Sequence, residues 1–316
     1  MKKYNFNCSF EIKSSHDVSG VGSSRSSSFV VSKGISCTSL FGLKNTLIEI
    51  EKHNESLYKF NVDSYDLDNQ TVQIKYLNDL SALISFLIGK DEVNGYYGTP
   101  YIHLNLESFF CKEEIVQDHK INDNEFVINE FLHVRDSVSI QSTRHIEFDE
   151  KALIGVFNHE MLDVYRNGLK AESERSKFFH WFLILEYLEG TPLYSHLFPK
   201  GSMFSEEETK KIRDLADTLP TDKKGIVLSV LSRTSEYRGK KLSDLLIRIG
   251  VEKISNMQGD HEISVDTIKK IICARNKLFH SGTDFPTNIL WLKLFPIVSA
   301  VIEKLVYDPQ CVEKSS

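Results

Sequence analysis

The stretch ICARNKLFHSG, residues 272–282, brings Arg275, Asn276 and His280 together just before a Ser-Gly stop. These side chains suit phosphodiester chemistry that proceeds without a metal. Histidine titrates near neutral pH, so it can both accept and donate a proton. Arginine is a permanent cation whose planar fork matches phosphate oxygens. Asn276 and His280 are four residues apart and share one face of a helix, so the amide can orient the imidazole or hold a phosphate oxygen. Arg275 and His280 are five apart and point about 140° from each other at 3.6 residues per turn. Either the long arginine wraps round the helix, or two copies of the motif meet across a dimer.

Spacing alone does not single this motif out, because Arg175 and His180 have the same separation. His180 lies within FFHWFLILEYL, a run apolar on most sides, and reads as a partly buried core histidine. His280 precedes Ser281-Gly282, which sets it at a helix mouth open to substrate. Glu186, in FLILEYLE, is a supporting candidate. A buried unpaired charge is costly, so Glu186 either pairs with Arg275 and aims it or lies on a polar stripe with Glu189. Other signals are weaker. His159-Glu160 lacks the second histidine of a zinc-protease helix, and the Ser19–Ser24 stretch lacks the lysine of a phosphate loop. Gly95–Pro100, GYYGTP, reads as a turn with packed tyrosines.

The elements that position these residues fall into two kinds. The first 147 residues read as α+β and rich in strands. Tyr4, Phe6, Cys8, Phe10 and Ile12 alternate at strand period. Further strands are expected at Phe29–Lys33, Thr46–Glu51, Leu57–Val62, Thr71–Tyr76 and Tyr101–Leu106, with a β-like segment at Glu125–Val134. Ser19–Ser28 reads as a flexible Ser/Gly stretch, and Asp79–Gly89 as a helix closed by a glycine cap. From Phe148 on, the pattern is helical throughout. Helices are expected at Phe148–Leu169, Ala171–Glu189, from Ser205, at Lys223–Arg233, Lys241–Ile249, Ser264–His280 and Asp284–Leu305. A boundary at 147/148 therefore separates an α+β domain, 1–147, from an all-α domain, 148–316.

Bulk composition narrows the class further. With 41% hydrophobic and 26% charged residues, the 316-residue chain is of ordinary globular make-up. The five cysteines are scattered and never form CxxC, which predicts reduced thiols and a cytoplasmic setting. Neither a secretory signal nor a membrane span is read from the sequence. The net charge of -6 is unevenly spread: residues 1–204 carry a net -8, residues 205–281 a net +3 and residues 282–316 a net -1. The motif thus sits in the basic part, which permits a local basic surface for RNA.

The C-terminal region, Phe148 to Tyr307, resembles the HEPN superfamily and within it the Apea-like branch. The resemblance rests on SKFFHWFLILEYLEG, an insert of shorter helices, IKKIICARNKLFHSG and a closing apolar helix. It implies an all-α HEPN bundle and a dimeric, metal-independent endoribonuclease that needs no cofactor. In that reading Arg275 stabilises charge on the phosphoryl oxygens, His280 is the general base or acid, and Asn276 positions His280 or a phosphoryl oxygen. It further implies an N-terminal domain that binds a trigger, and a toxin-like role in stress or anti-phage defence. Two other readings remain open: a non-catalytic HEPN module that binds RNA or protein, and a nucleotide-binding or antitoxin-like partner of a separate enzyme.

Overall fold

A single strand, β1 (Lys2–Ser14), organises the N-terminal part of the computed structural model, which describes residues 2–14, 28–31, 43, 46–53, 57–90, 99–115, 132–135, 143–146, 159–198, 205–232, 237–256, 258–280 and 286–312. All but Ser28 of the expected loop at Ser19–Ser28, residues 95–98 of the GYYGTP turn, residues 125–131 of the Glu125–Val134 segment, the 147/148 boundary and the Ser281-Gly282 stop lie outside these residues. Alternation works as anticipated in β1: Tyr4, Phe6, Cys8 and Phe10 are buried, while Asn5, Asn7 and Ser9 are less so. The strand pairs antiparallel with β4 (Leu57–Ser64) on one side and β5 (Pro100–Ile115) on the other. The strand β3 (Thr46–Lys52) completes a four-stranded sheet in the order β3-β4-β1-β5. A separate three-stranded sheet joins β2 (Ser28–Val31), β6 (Leu132–Arg135) and β7 (Thr143–Ile146).

One face of the four-stranded sheet is covered by α1, Gln70–Gly89. Its first turn corrects the strand expected at Thr71–Tyr76. Asn69 caps the helix by accepting a bond from the Val72 amide at 3.0 Å. Gln73, Tyr76, Leu77 and Leu80 are buried at helical spacing, continuous with the apolar run that follows. Gly89 stays inside the helix, whose cap is Lys90 in a right-handed conformation. The glycine instead serves close packing: a Cβ there would lie 3.0 Å from Leu169 Cδ1 and 3.1 Å from the Pro100 carbonyl.

After residue 158 the described chain is largely helical: α2 (His159–Lys170), α3 (Glu174–Glu189), α4 (Pro192–Leu197), α5 (Glu206–Asp217), α6 (Thr221–Ser232), α7 (Arg238–Arg248) and α8 (Val265–His280). Between α7 and α8 lies a hairpin of β8 (Lys253–Asn256) and β9 (Gly259–Glu262), which departs from the all-helical expectation. Gly259 turns it at φ +104°, and Ile254 is its buried anchor. The chain closes with one α-turn (Thr287–Ile289), a π-helical segment (Leu290–Leu294) and a final α-helix (Phe295–Tyr307). Pro296 has no amide hydrogen to offer the Leu292 carbonyl. Asn256 Nδ2 fills the vacancy, donating to that oxygen at 2.9 Å.

The buried core runs without interruption from the sheet through α1 into the helices. Tyr165 of α2 meets the Phe86 ring of α1 edge-on at 5.4 Å, and Trp181 of α3 packs on Phe295 at 4.6 Å and Trp291 at 5.6 Å. Gly168 lets Trp181 approach, since a Cβ there would lie 2.1 Å from the indole nitrogen. Lys177 of α3 is fully buried in the same seam. Its ammonium donates to Thr99 Oγ1 at 2.8 Å and to the Gly168 and Leu169 carbonyls at 3.3 and 3.1 Å. Burial pushes its pKa down from 10.5 to about 7, while three acceptors match the three protons of the charged form. No described helix is long and apolar enough to cross a membrane.

Candidate functional site

The motif helix α8 begins at a serine cap, with Ser264 Oγ accepting from the Thr267 amide at 3.2 Å. Ile268, Ile271, Ile272 and Ala274 are buried and fix the rotation of the helix. Arg275 is thereby carried to the seam with α3, where Ser173 caps the first turn by accepting from Ser176 N at 3.2 Å. The side chains of Phe182, Glu186 and Glu189 form one stripe of α3, three and four residues apart.

Arg275 Nη2 donates to Glu186 Oε1 at 3.2 Å. Of the two alternatives for Glu186, the pairing with Arg275 is present, and Glu189 does share its stripe. Both acids are engaged. Arg238, in the first turn of α7, grips Glu189 with two bonds, Nε to Oε1 at 2.7 Å and Nη2 to Oε2 at 2.6 Å. The same Nη2 lies 3.5 Å from Glu186 Oε1, so Glu186 is flanked by two guanidinium groups. The hydrogen bonds to Glu189 hold the Arg238 guanidinium above its ordinary pKa.

Aromatic rings complete the arrangement. The Arg275 guanidinium carbon lies 4.6 Å from the Phe279 ring centre and 5.7 Å from that of Phe182, and Arg238 lies 5.5 Å from Phe182. These are cation–π distances. Arg275 Nε is buried with no hydrogen-bond partner among the described residues. Asn276 is exposed on the outer face of α8. His280 is the last residue of α8, and its side chain lies outside the described ones. Arg275 and Glu186 are thus brought together, Asn276 follows Arg275 on the exposed face of α8, and His280 ends the helix. A cavity of about 250 Å³ opens next to Glu186, lined also by Thr191 and Val312. No group of three or more His, Cys, Asp or Glu side chains among the described residues could hold a metal ion.

Comparison with protein-family models, curated proteins and solved structures finds no match. The site is therefore read from its own geometry. The second arginine–histidine pair differs in surroundings. Arg175 is exposed, and His180 is half-buried, its ring edge-on to Phe179 at 5.7 Å. Desolvation pushes the His180 imidazole below its ordinary pKa, as its apolar run anticipates. Sequence reasoning missed Arg238, Phe182 and Phe279 as members of the site. Phe279 lies inside the motif, four residues from Arg275, and that spacing was a usable signal. Nothing local links Arg238 to Glu189, 49 positions apart.

Proposed function

We propose that the chain is a HEPN-type, metal-independent endoribonuclease whose site is built on Arg275, Asn276 and His280, with Glu186 orienting Arg275. The observation that carries this reading is the hold on Arg275. A carboxylate on one helix and an aromatic ring on its own helix fix a guanidinium, on a helix that also carries an exposed amide at Asn276 and ends at His280. A cation set in place before the reaction stabilises transition-state charge more than a mobile one, because no reorganisation is needed; one such donor is worth about 3 kcal/mol.

In the proposed step a ribose 2′-hydroxyl attacks the adjacent phosphorus as His280 takes its proton. The bond from phosphorus to the 5′-oxygen breaks, and that oxygen leaves with a proton. The products are a 2′,3′-cyclic phosphate and a 5′-hydroxyl, and DNA is not cleaved because it lacks the nucleophile. Arg275 faces the non-bridging oxygens and Asn276 holds either an oxygen or the imidazole. One histidine serves one proton transfer at a time, so a two-fold homodimer that brings two motifs together supplies both base and acid. The N-terminal α+β region takes the role of trigger-binding domain, and the physiological setting is a toxin-like defence effector.

The test is incubation of the purified protein with a defined RNA in EDTA, beside His280→Ala and Arg275→Ala. Cleavage that survives the chelator, leaves a cyclic phosphate and disappears in both variants establishes the reading. RNA left intact by all three proteins, with tight RNA binding, favours the second reading, a non-catalytic RNA-binding module. One observation supports that alternative: the Arg275 charge is already met by Glu186.

A further inference from the structure

Phe179 and Phe279 are 41% and 49% exposed, yet they touch each other across α3 and α8 with ring centres 5.8 Å apart. Exposed aromatics in mutual contact on two helices are not explained by burial in the core. Along α3, ten residues separate Phe179 from Glu189, about 15 Å at 1.5 Å per residue. Within that length lie, in order, Phe179, the Phe279 ring, the Arg275 guanidinium against Glu186 and the Arg238 guanidinium against Glu189. Two rings thus lead into two cations along one row.

We propose that Phe179 and Phe279 form a stacking platform for the unpaired bases of RNA whose phosphate is held at Arg275. The proposal deepens the nuclease reading above and rests on it for the identity of the polymer. Three observations favour this occupant over a second copy of the chain. The helix α8 carries four basic residues, Lys269, Lys270, Arg275 and Lys277, against one acid, Asp266, which complements a phosphate chain. Lysine is also depleted from the centre of protein interfaces. Two half-exposed rings offer about 200 Å² of apolar area, well short of the roughly 800 Å² per partner in a stable interface. A base, in contrast, needs only one ring face, and bases in a duplex have no free face to offer.

The test uses a short 2′-O-methyl oligoribonucleotide, which lacks the nucleophile and stays intact, with binding read by fluorescence anisotropy. Phe279→Ala is expected to weaken binding roughly tenfold, with Phe279→Trp restoring it. Because the Phe279 ring also lies against Arg275, the stacking share is read from Phe179→Ala, which leaves Arg275 in place and should weaken binding with the salt slope unchanged. The same sequence as a duplex binds more weakly and ignores the substitution. Affinity unchanged in Phe279→Ala overturns the platform, as does failure of the wild-type protein to bind the oligonucleotide. So does a halved molar mass of Phe279→Ala in light scattering, which assigns the ring to a contact between copies. The two proposals separate cleanly. Stacking-dependent binding with no cleavage of unmodified RNA removes the nuclease and keeps the platform. Cleavage with binding that ignores Phe279 does the reverse.

Discussion

Raising the pH from 7 to 9 stabilises this chain through one buried amine, Lys177. The folded state holds that amine with a pKa of about 7, against an ordinary value of 10.5, because burial penalises the ammonium. The unfolded chain keeps the ordinary value. Between the two it binds one proton more than the folded chain, so stability rises with pH, by up to about 1.4 kcal/mol per unit. Below this window both states are protonated and the contribution is flat. From pH 7, where the folded amine is half-titrated, to pH 9, the gain integrates to about 2 kcal/mol. The three acceptors around Nζ oppose this by favouring the ammonium. The assay is urea unfolding at pH 7, 8 and 9 for the wild type and Lys177→Met, which keeps an apolar stem and removes the titration. Tyrosines and cysteines titrate in both proteins and cancel in the difference. The wild type should gain about 2 kcal/mol on the variant across the range. Parallel curves would refute the reasoning and show that the three acceptors outweigh the desolvation.

Further outcomes follow from the packing and the site. Gly168→Ala gains up to about 1 kcal/mol of helix propensity. It also drives a methyl into fully buried Trp181, whose Nε1 is tied to the Tyr165 carbonyl at 3.2 Å. Overpacking of that kind costs about 3 kcal/mol, so chemical denaturation should show a net loss of about 2 kcal/mol. Arg238→Lys replaces a two-bond grip on Glu189 with a single contact, and should lower stability by about 1 kcal/mol in a manner that salt attenuates. Glu186→Gln keeps a hydrogen-bond acceptor for Arg275 but removes the charge. It should leave stability within about 1 kcal/mol of wild type while lowering cleavage roughly tenfold through a less well-held Arg275, measured as initial rate at saturating RNA.

The legible parts of the fold are those with a period. Alternation in Tyr4–Phe10 predicts β1, and the 3–4 spacing of Ile268, Ile271 and Ile272 predicts α8, because each pattern must bury one face. The first turn of α1 reads as a strand because three of the four residues Thr71-Val72-Gln73-Ile74 are β-branched, and the deciding features lie outside it: the Asn69 cap and the apolar positions from Tyr76 onward. The hairpin of β8 and β9 left no signal, because its strands are four residues each and β9 is exposed throughout.

The same distinction governs the site. Glu186 could be suspected as a partner for Arg275 because a charge in an apolar run must be met by another. The grip of Arg238 on Glu189 was hidden, since it depends on how α7 docks rather than on any local pattern. The contrast between the two arginine–histidine pairs shows what spacing leaves out. His180 of the first pair is half-buried with its ring edge-on to Phe179, whereas in the second pair Arg275 is held by an acid from a second helix and by the ring of Phe279. A motif becomes a candidate site when neighbouring elements restrain its side chains, and here that restraint comes from α3, with Arg238 of α7 bracing the acid that supplies it. Substitutions at Glu186 and Arg238 should therefore lower catalysis through Arg275.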